Sequence, residues 1–204
     1  MTFNEEQRAR GPQSMDALAA QLGTRSIVLV GMPGAGKSSV GRRLAKRLNL
    51  PFVDADDEIE KAAGMRIPDI FAQHGEAEFR EGEKRVVMRL LQSGPLVLAT
   101  GGGAFMNAET REAIAANGIS VWLRADLATL LKRVKKRNDR PLLADGDPAE
   151  RLALLLAQRG DTYALADVVV DSRDVMHEMV AEEVVQAVAR QLARFAAPHP
   201  DVQA

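Results

Sequence analysis

Apolar runs of three to five residues alternate along the chain with longer stretches of helical period, the pattern of parallel strands joined by helical crossovers. Strands are predicted at Ile27 to Val30, Phe52 and Val53, Leu96 to Ala99, Ile119 to Leu123 and Val168 to Val170. Between the first two, Val40, Leu44 and Leu48 fall on one face of a helix over Ser38 to Leu48. Ile59 and Ala63 do the same over Asp54 to Ala63, opposite a charged face, and helical segments then run to about Gln92. The expected fold class is α/β, with a central five-stranded parallel sheet between layers of helices.

The same pattern sets the expected boundaries. Residues 25–195 form a single domain, preceded by an extension over 1–24 that is flexible or partly helical. A mobile lid is expected at about 135–150, where the basic stretch Lys132 to Arg140 gives way to Pro141 and a polar turn. Pro198 and Pro200 end the last helix and leave a disordered tail over 196–204.

A chain of 204 residues, 46% hydrophobic and 27% charged, supports one core without a disulfide or metal. The absence of cysteine excludes disulfide scaffolds, thiolate metal sites and thiol nucleophiles, and fits a reducing cytoplasm. A net charge of -1 offers no basic field for nucleic acid, so no nucleic-acid partner is expected. The apolar runs are strand-sized, well below the ~20 residues of a membrane helix, and no membrane partner is expected either. The chain is expected to act as a monomer on small molecules.

The chemistry begins at Gly31-Met32-Pro33-Gly34-Ala35-Gly36-Lys37-Ser38, which satisfies G-x-x-x-x-G-K-[ST] directly after a strand and before an amphipathic helix. Glycines let several backbone N–H groups converge on phosphates, and Lys37 adds a point charge. Ser38 can place its hydroxyl on Mg²⁺, while the helix N-terminus contributes about half a positive charge. Nucleoside triphosphate binding follows; a mere strand-to-helix turn is the weaker alternative. A kinase for a small molecule and a nucleotide-hydrolysing switch both remain. A switch needs a strand ending in Asp near the metal, whereas Leu96 to Ala99 runs into Thr100 and the bare backbone of Gly101-Gly102-Gly103.

Asp54 and Asp56 stand immediately after the second strand, on the sheet edge shared by the phosphate loop and the three glycines. Acids in a first helical turn can serve only as caps. Phosphoryl transfer to an alcohol, however, uses one carboxylate near Mg²⁺ and one near the acceptor hydroxyl.

These motifs, with Phe52-Val53-Asp54-Ala55-Asp56, Asp69-Ile70-Phe71, Glu76, Glu78-Phe79-Arg80, Arg140-Pro141-Leu142-Leu143 and Arg159 followed by Tyr163, resemble shikimate kinase over roughly residues 25 to 192. The resemblance implies a P-loop kinase fold with strand order 2-3-1-4-5 and ATP-dependent phosphorylation of the 3-hydroxyl of shikimate. It also implies residue roles. Arg80 and Arg159 match the carboxylate-binding arginines, a task suited to a guanidinium fork. Asp56 matches the residue that binds the ring hydroxyls and serves as base, with Gly102 and Gly103 offering backbone to the substrate. Phe71 and Phe79 wall the ring or simply pack in the core. Gly34, Ala35, Gly36, Lys37, Ser38 and Ser39 hold the nucleotide, Arg133 packs on adenine, and Arg140 is the lid arginine that closes on the transferring phosphates. Catalysis thus falls to Asp56, Lys37 and Arg140, and the Mg²⁺ cofactor to Ser38 and Asp54.

Two departures stand out. Gly160-Asp161-Thr162 replaces a proline-containing approach to Tyr163, and Asp171-Ser172-Arg173-Asp174 leaves the adenine-edge contacts open. The alternatives are a kinase for another small acid such as gluconate, a nucleoside monophosphate kinase, or a noncatalytic ATP-hydrolysing switch. A nucleobase acceptor site favours aromatic stacking, yet the chain has one Trp and one Tyr.

Overall fold

The computed structural model describes residues 15–134 and 147–196. Most of the expected lid, including Arg140, lies outside the described residues, as do residues 1–14 and 197–204.

The chain begins with helix α1 (Met15–Leu22), followed by strand β1 (Ser26–Val30) and helix α2 (Lys37–Leu48). Strand β2 (Phe52–Asp54) leads into helices α3 (Ala55–Ala63) and α4 (Ile67–Leu91). Strand β3 (Val97–Ala99) ends at a 3-10 turn over Ala104–Met106, and helix α5 (Ala108–Asn117) returns the chain to strand β4 (Gly118–Arg124). Helices α6 (Leu127–Val134) and α7 (Pro148–Tyr163), strand β5 (Val168–Asp171) and helix α8 (His177–Ala196) complete it. All five strands are parallel, in the order β2-β3-β1-β4-β5.

Strand β1 lies between β3 and β4, and every one of its residues is buried, as a strand covered on both faces requires. Register pairs Ile27 with Val97 and with Ile119, so the carboxyl ends of β1, β2 and β3 open on one edge. Helix α2 packs Val40, Leu44 and Leu48 into the core, and Gly41 allows it to lie close to the sheet. A Cβ on Gly41 sits 2.5 Å from the Phe52 ring. The helix stops at Asn49, which adopts the left-handed conformation (φ 52°) and returns its N–H to Ala45 O. Helix α4 is kinked at Gly75, whose φ of 78° and ψ of 173° no helix accommodates.

The expected boundary at residue 25 needs correction. Leu18 and Leu22 of α1 are each 1% exposed and belong to the main hydrophobic core. They sit one helical turn apart on the face that packs against α2 and α8. From Met15 onward, the presumed extension is therefore part of the domain.

Candidate active site

The phosphate loop leaves β1 at Gly31 and enters α2 at Lys37, with Gly34 and Gly36 both left-handed at φ 87° and 93°. Close approach also forbids a side chain at Gly34, where a Cβ lies 2.9 Å from Val134 Cγ2 and 3.2 Å from Leu130 O. Lys37 is 9% exposed, and its ammonium donates to Gly31 O at 2.7 Å and Met32 O at 3.1 Å, folding the side chain over the loop. These contacts centre the charge within a cavity of about 370 Å³. Gly34, Gly36, Ser38, Ser39, Asp54, Asp56, Thr100, Gly102 and Arg133 line the same cavity. Ala35 lies buried beneath it.

Ser38 donates its hydroxyl to Asp54 Oδ2 at 2.6 Å. The other Asp54 oxygen accepts from Asp56 N at 3.2 Å and so caps α3. The cap and the candidate metal acid are therefore the same side chain. Among the described residues, no cluster of three or more His, Cys, Asp or Glu side chains could hold a metal alone. The Ser38–Asp54 oxygen pair instead fits Mg²⁺, which keeps several waters and takes substrate phosphates as ligands.

The acceptor end is built on α4, the three glycines and α7. Arg80 donates to buried Glu83 at 2.7 Å and to Glu76 at 3.0 Å. Its guanidinium carbon lies 5.0 Å from the centroid of Phe79 and 6.0 Å from that of Phe71. Those two rings meet at 4.5 Å, so each is both packed on the core and placed beneath the arginine. Burial opposes the charge on Arg80, but Glu83 and Glu76 outweigh it and hold the pKa above its ordinary value. Burial pushes the Glu83 carboxyl up, against the pull of Arg80, with Asp56 adding to the rise.

The glycine loop is squeezed from three sides. A Cβ on Gly101 lies 2.4 Å from Glu83 Oε1 and 3.0 Å from Asp56 Oδ1. One on Gly102 meets Pro33 at 2.9 Å, and one on Gly103 meets the Arg80 guanidinium at 2.4 Å. No side chain fits at these positions without movement, which leaves backbone facing the space between Asp56 and the arginines.

Arg159 and Tyr163, one turn apart on α7, both donate to Gly102 O, Arg159 at 3.0 Å. Tyr163 is fully buried, and burial pushes its hydroxyl up to about 12, so it remains a donor at any working pH. Without a proline, Gly160-Asp161-Thr162 continues α7 as regular helix to Tyr163.

Arg133 reaches the nucleotide side but is engaged with protein, donating to Ser172 Oγ at 2.9 Å and Arg173 O at 2.6 Å. Ser172 passes the connection on to Ala35 O at 2.7 Å. The loop after β5 is thus tied to the phosphate loop. Arg140 lies outside the described residues; of the other expected residues, Gly34, Gly36, Lys37, Ser38, Ser39, Asp54, Asp56, Gly102 and Arg133 line one cavity, and Arg80, Gly103 and Arg159 line another.

Sequence reasoning gave no role to Glu83, Ser172 or His177. Glu83 lies three residues after Arg80 on one helix, a spacing that could have paired them. Ser172 and His177 carry no such signal.

A family model described as shikimate kinase matches residues 33–189. The shikimate kinase of Bradyrhizobium diazoefficiens is 55% identical over 185 residues, covering 91% of this chain and 89% of the relative. The structure of shikimate kinase from Acinetobacter baumannii in complex with shikimate superposes with a TM-score of 0.80 at 37% identity, covering 84% of this chain and 97% of that one. A gluconokinase from Sinorhizobium meliloti, at 22% identity and a TM-score of 0.53, shares only the fold. With a family model matching most of the chain and relatives matched over nearly their full length, the chain belongs to the shikimate kinase family.

Proposed function

We propose that this protein transfers the γ-phosphoryl group of ATP to the 3-hydroxyl of shikimate, giving shikimate 3-phosphate and ADP. The observation that carries this reading is the polarity of the cleft. Lys37 and Asp56 line the cavity that ends at Gly102, and Arg80 and Arg159 line the one that begins at Gly103. A hydroxy acid with a carboxylate at one end and ring hydroxyls at the other fits that arrangement.

Arg80 and Arg159 take the carboxylate. Gly102 and Gly103 present backbone to the ring, which lies over Phe71 and Phe79. Asp56 accepts the proton of the 3-hydroxyl as its oxygen attacks the γ-phosphorus. The bond from that phosphorus to the bridging oxygen breaks, and ADP leaves with the electron pair. Lys37 and the N–H groups of residues 34–39 hold the phosphates and stabilise the charge that develops on them. Ser38 and Asp54 hold Mg²⁺, which neutralises phosphate charge when bound. Arg140 closes over the transferring group, and closure keeps water from competing with the acceptor.

No helix among the described residues is long and apolar enough to cross a membrane. We place the enzyme in the cytoplasm as a monomer, where ATP is available and a cysteine-free chain needs no oxidising environment.

A coupled ADP-release assay tests the reading with Mg-ATP and no acceptor, shikimate, quinate, gluconate or nucleoside monophosphates. Turnover with shikimate alone is expected. Faster turnover with another acceptor overturns the substrate assignment, and equal release without acceptor overturns the kinase reading.

A further inference from the structure

The cavity that holds Lys37 and Ser38 has one wall that the site described above leaves without a task. His177 opens α8, and its ring stands over the phosphate loop. A Cβ placed on Gly36 lies 3.5 Å from His177 Cδ2 and 3.6 Å from Nε2, ordinary contact distances. The imidazole edge therefore borders the glycine whose backbone helps form the phosphate cradle. We propose that His177 is a nucleotide-binding residue whose imidazolium donates to a phosphate oxygen of bound ATP or ADP. The inference rests on the assignment of this cavity to the nucleotide.

The charges around the ring favour that role. Arg43 approaches from α2 and Arg133 from α6, while Lys37 shares the cavity. The nearby acids are engaged: Glu178 with Arg43 at 2.6 Å, Asp174 with Lys132 at 2.5 Å, and Glu183 with Arg173. Asp54 and Asp56 line the opposite side, where Ser38 binds Asp54. Burial holds the His177 pKa below its ordinary value, and Arg133 and Arg43 lower it further, against the weaker pull of Glu178. The ring is thus neutral at pH 7 before nucleotide arrives. A polyphosphate in the cavity reverses the local field and makes the protonated ring the favoured form. Nucleotide binding then takes up a proton, and the sign is fixed: affinity rises as pH falls through the titration of His177 in the complex.

The test is calorimetric titration of the full-length protein with ADP in EDTA at pH 6.0 and 8.0, in buffers of different ionisation enthalpy. Wild type is compared with His177→Gln, which cannot carry the charge, and His177→Arg, which always does. ADP's own titration cancels in these differences. His177→Gln is expected to bind ADP about tenfold more weakly than wild type at pH 6.0, as loss of a charge-assisted bond implies, and nearly equally at pH 8.0. It should also take up fewer protons on binding than wild type does. His177→Arg, charged throughout, should bind ADP more tightly than wild type at pH 8.0. KM for shikimate should stay constant, which a general packing defect would not leave untouched. Equal pH slopes and equal proton uptake in wild type and His177→Gln overturn the inference while leaving the nucleotide site in place. Failure of wild type itself to bind ADP overturns both.

Discussion

Tyr163→Phe removes one hydroxyl from a fully buried ring and tests how the glycine loop is held. Gly102 O accepts from both Arg159 and Tyr163. The variant still has Arg159 on that carbonyl, so folding loses one ordinary hydrogen bond, about 1 kcal/mol, or roughly 2–4 °C in Tm. The larger effect comes with substrate. When the shikimate carboxylate draws Arg159 away, Tyr163 alone keeps Gly102 O satisfied in the wild type. In the variant, the carbonyl is left without its donor, at about 1–2 kcal/mol for a partly buried group. KM for shikimate should therefore rise roughly 5- to 30-fold, while KM for ATP stays within about twofold. Steady-state ADP release with shikimate varied at saturating Mg-ATP reads the first value, and the reverse titration reads the second. An unchanged shikimate KM in a variant with the expected small loss of Tm refutes the exchange of donors at Gly102.

Three further outcomes are expected. Asp56→Asn should lower kcat by about 10²- to 10⁴-fold with ADP binding intact by calorimetry, since an amide cannot take the hydroxyl proton; a wild-type kcat removes Asp56 from the base role. Arg80→Lys should raise KM for shikimate about tenfold or more, because an ammonium cannot span both Glu83 and the carboxylate as the fork does. Steady-state kinetics with shikimate varied reads this, and an unchanged KM places the carboxylate elsewhere. Leu18→Ala should destabilise the protein by about 2–5 kcal/mol in urea unfolding, and deletion of residues 1–22, which also removes Leu22, should do more damage still. A deletion ending at residue 14 provides the comparison; equal stability of the two truncations would show that α1 contributes nothing.

The strand-loop-helix unit from Ile27 to Leu48 was legible because every level agrees there: a buried apolar run, glycines that the phosphate loop requires, and apolar residues at intervals of four. Helix α1 was not. Eight residues hold only two turns, and Leu18 and Leu22 are too few to mark a core face until α2 and α8 are seen beside them. Glu83 was hidden for the opposite reason. It sits among Glu81, Lys84 and Arg85, a run that reads as a solvated helix face, yet only the fold shows that this one carboxyl is 2% exposed. The candidate site followed the same division. Contiguous motifs pointed to candidate residues, whereas those brought in from a distant loop, Ser172 and His177, depend on β5 passing beside β4 at the edge of the sheet.

The cations of the cleft share one arrangement that bears on how it selects its substrates. Lys37 rests on Gly31 O and Met32 O, Arg159 on Gly102 O, Arg133 on Ser172 and Arg173 O, and Arg80 on Glu83. None of these charges lies in an apolar void, so none carries the desolvation penalty of an unpaired buried cation. Ligand binding is consequently an exchange: each anionic group must offer more than the carbonyl or carboxylate it displaces or joins. A neutral polyol lacks the charge to outbid Gly102 O for Arg159, whereas a carboxylate has it and meets the guanidinium with two parallel bonds. On the proposed reading, selection for shikimate rests on two conditions met at once, an anion at the arginines and a ring against backbone that no Cβ is allowed to crowd.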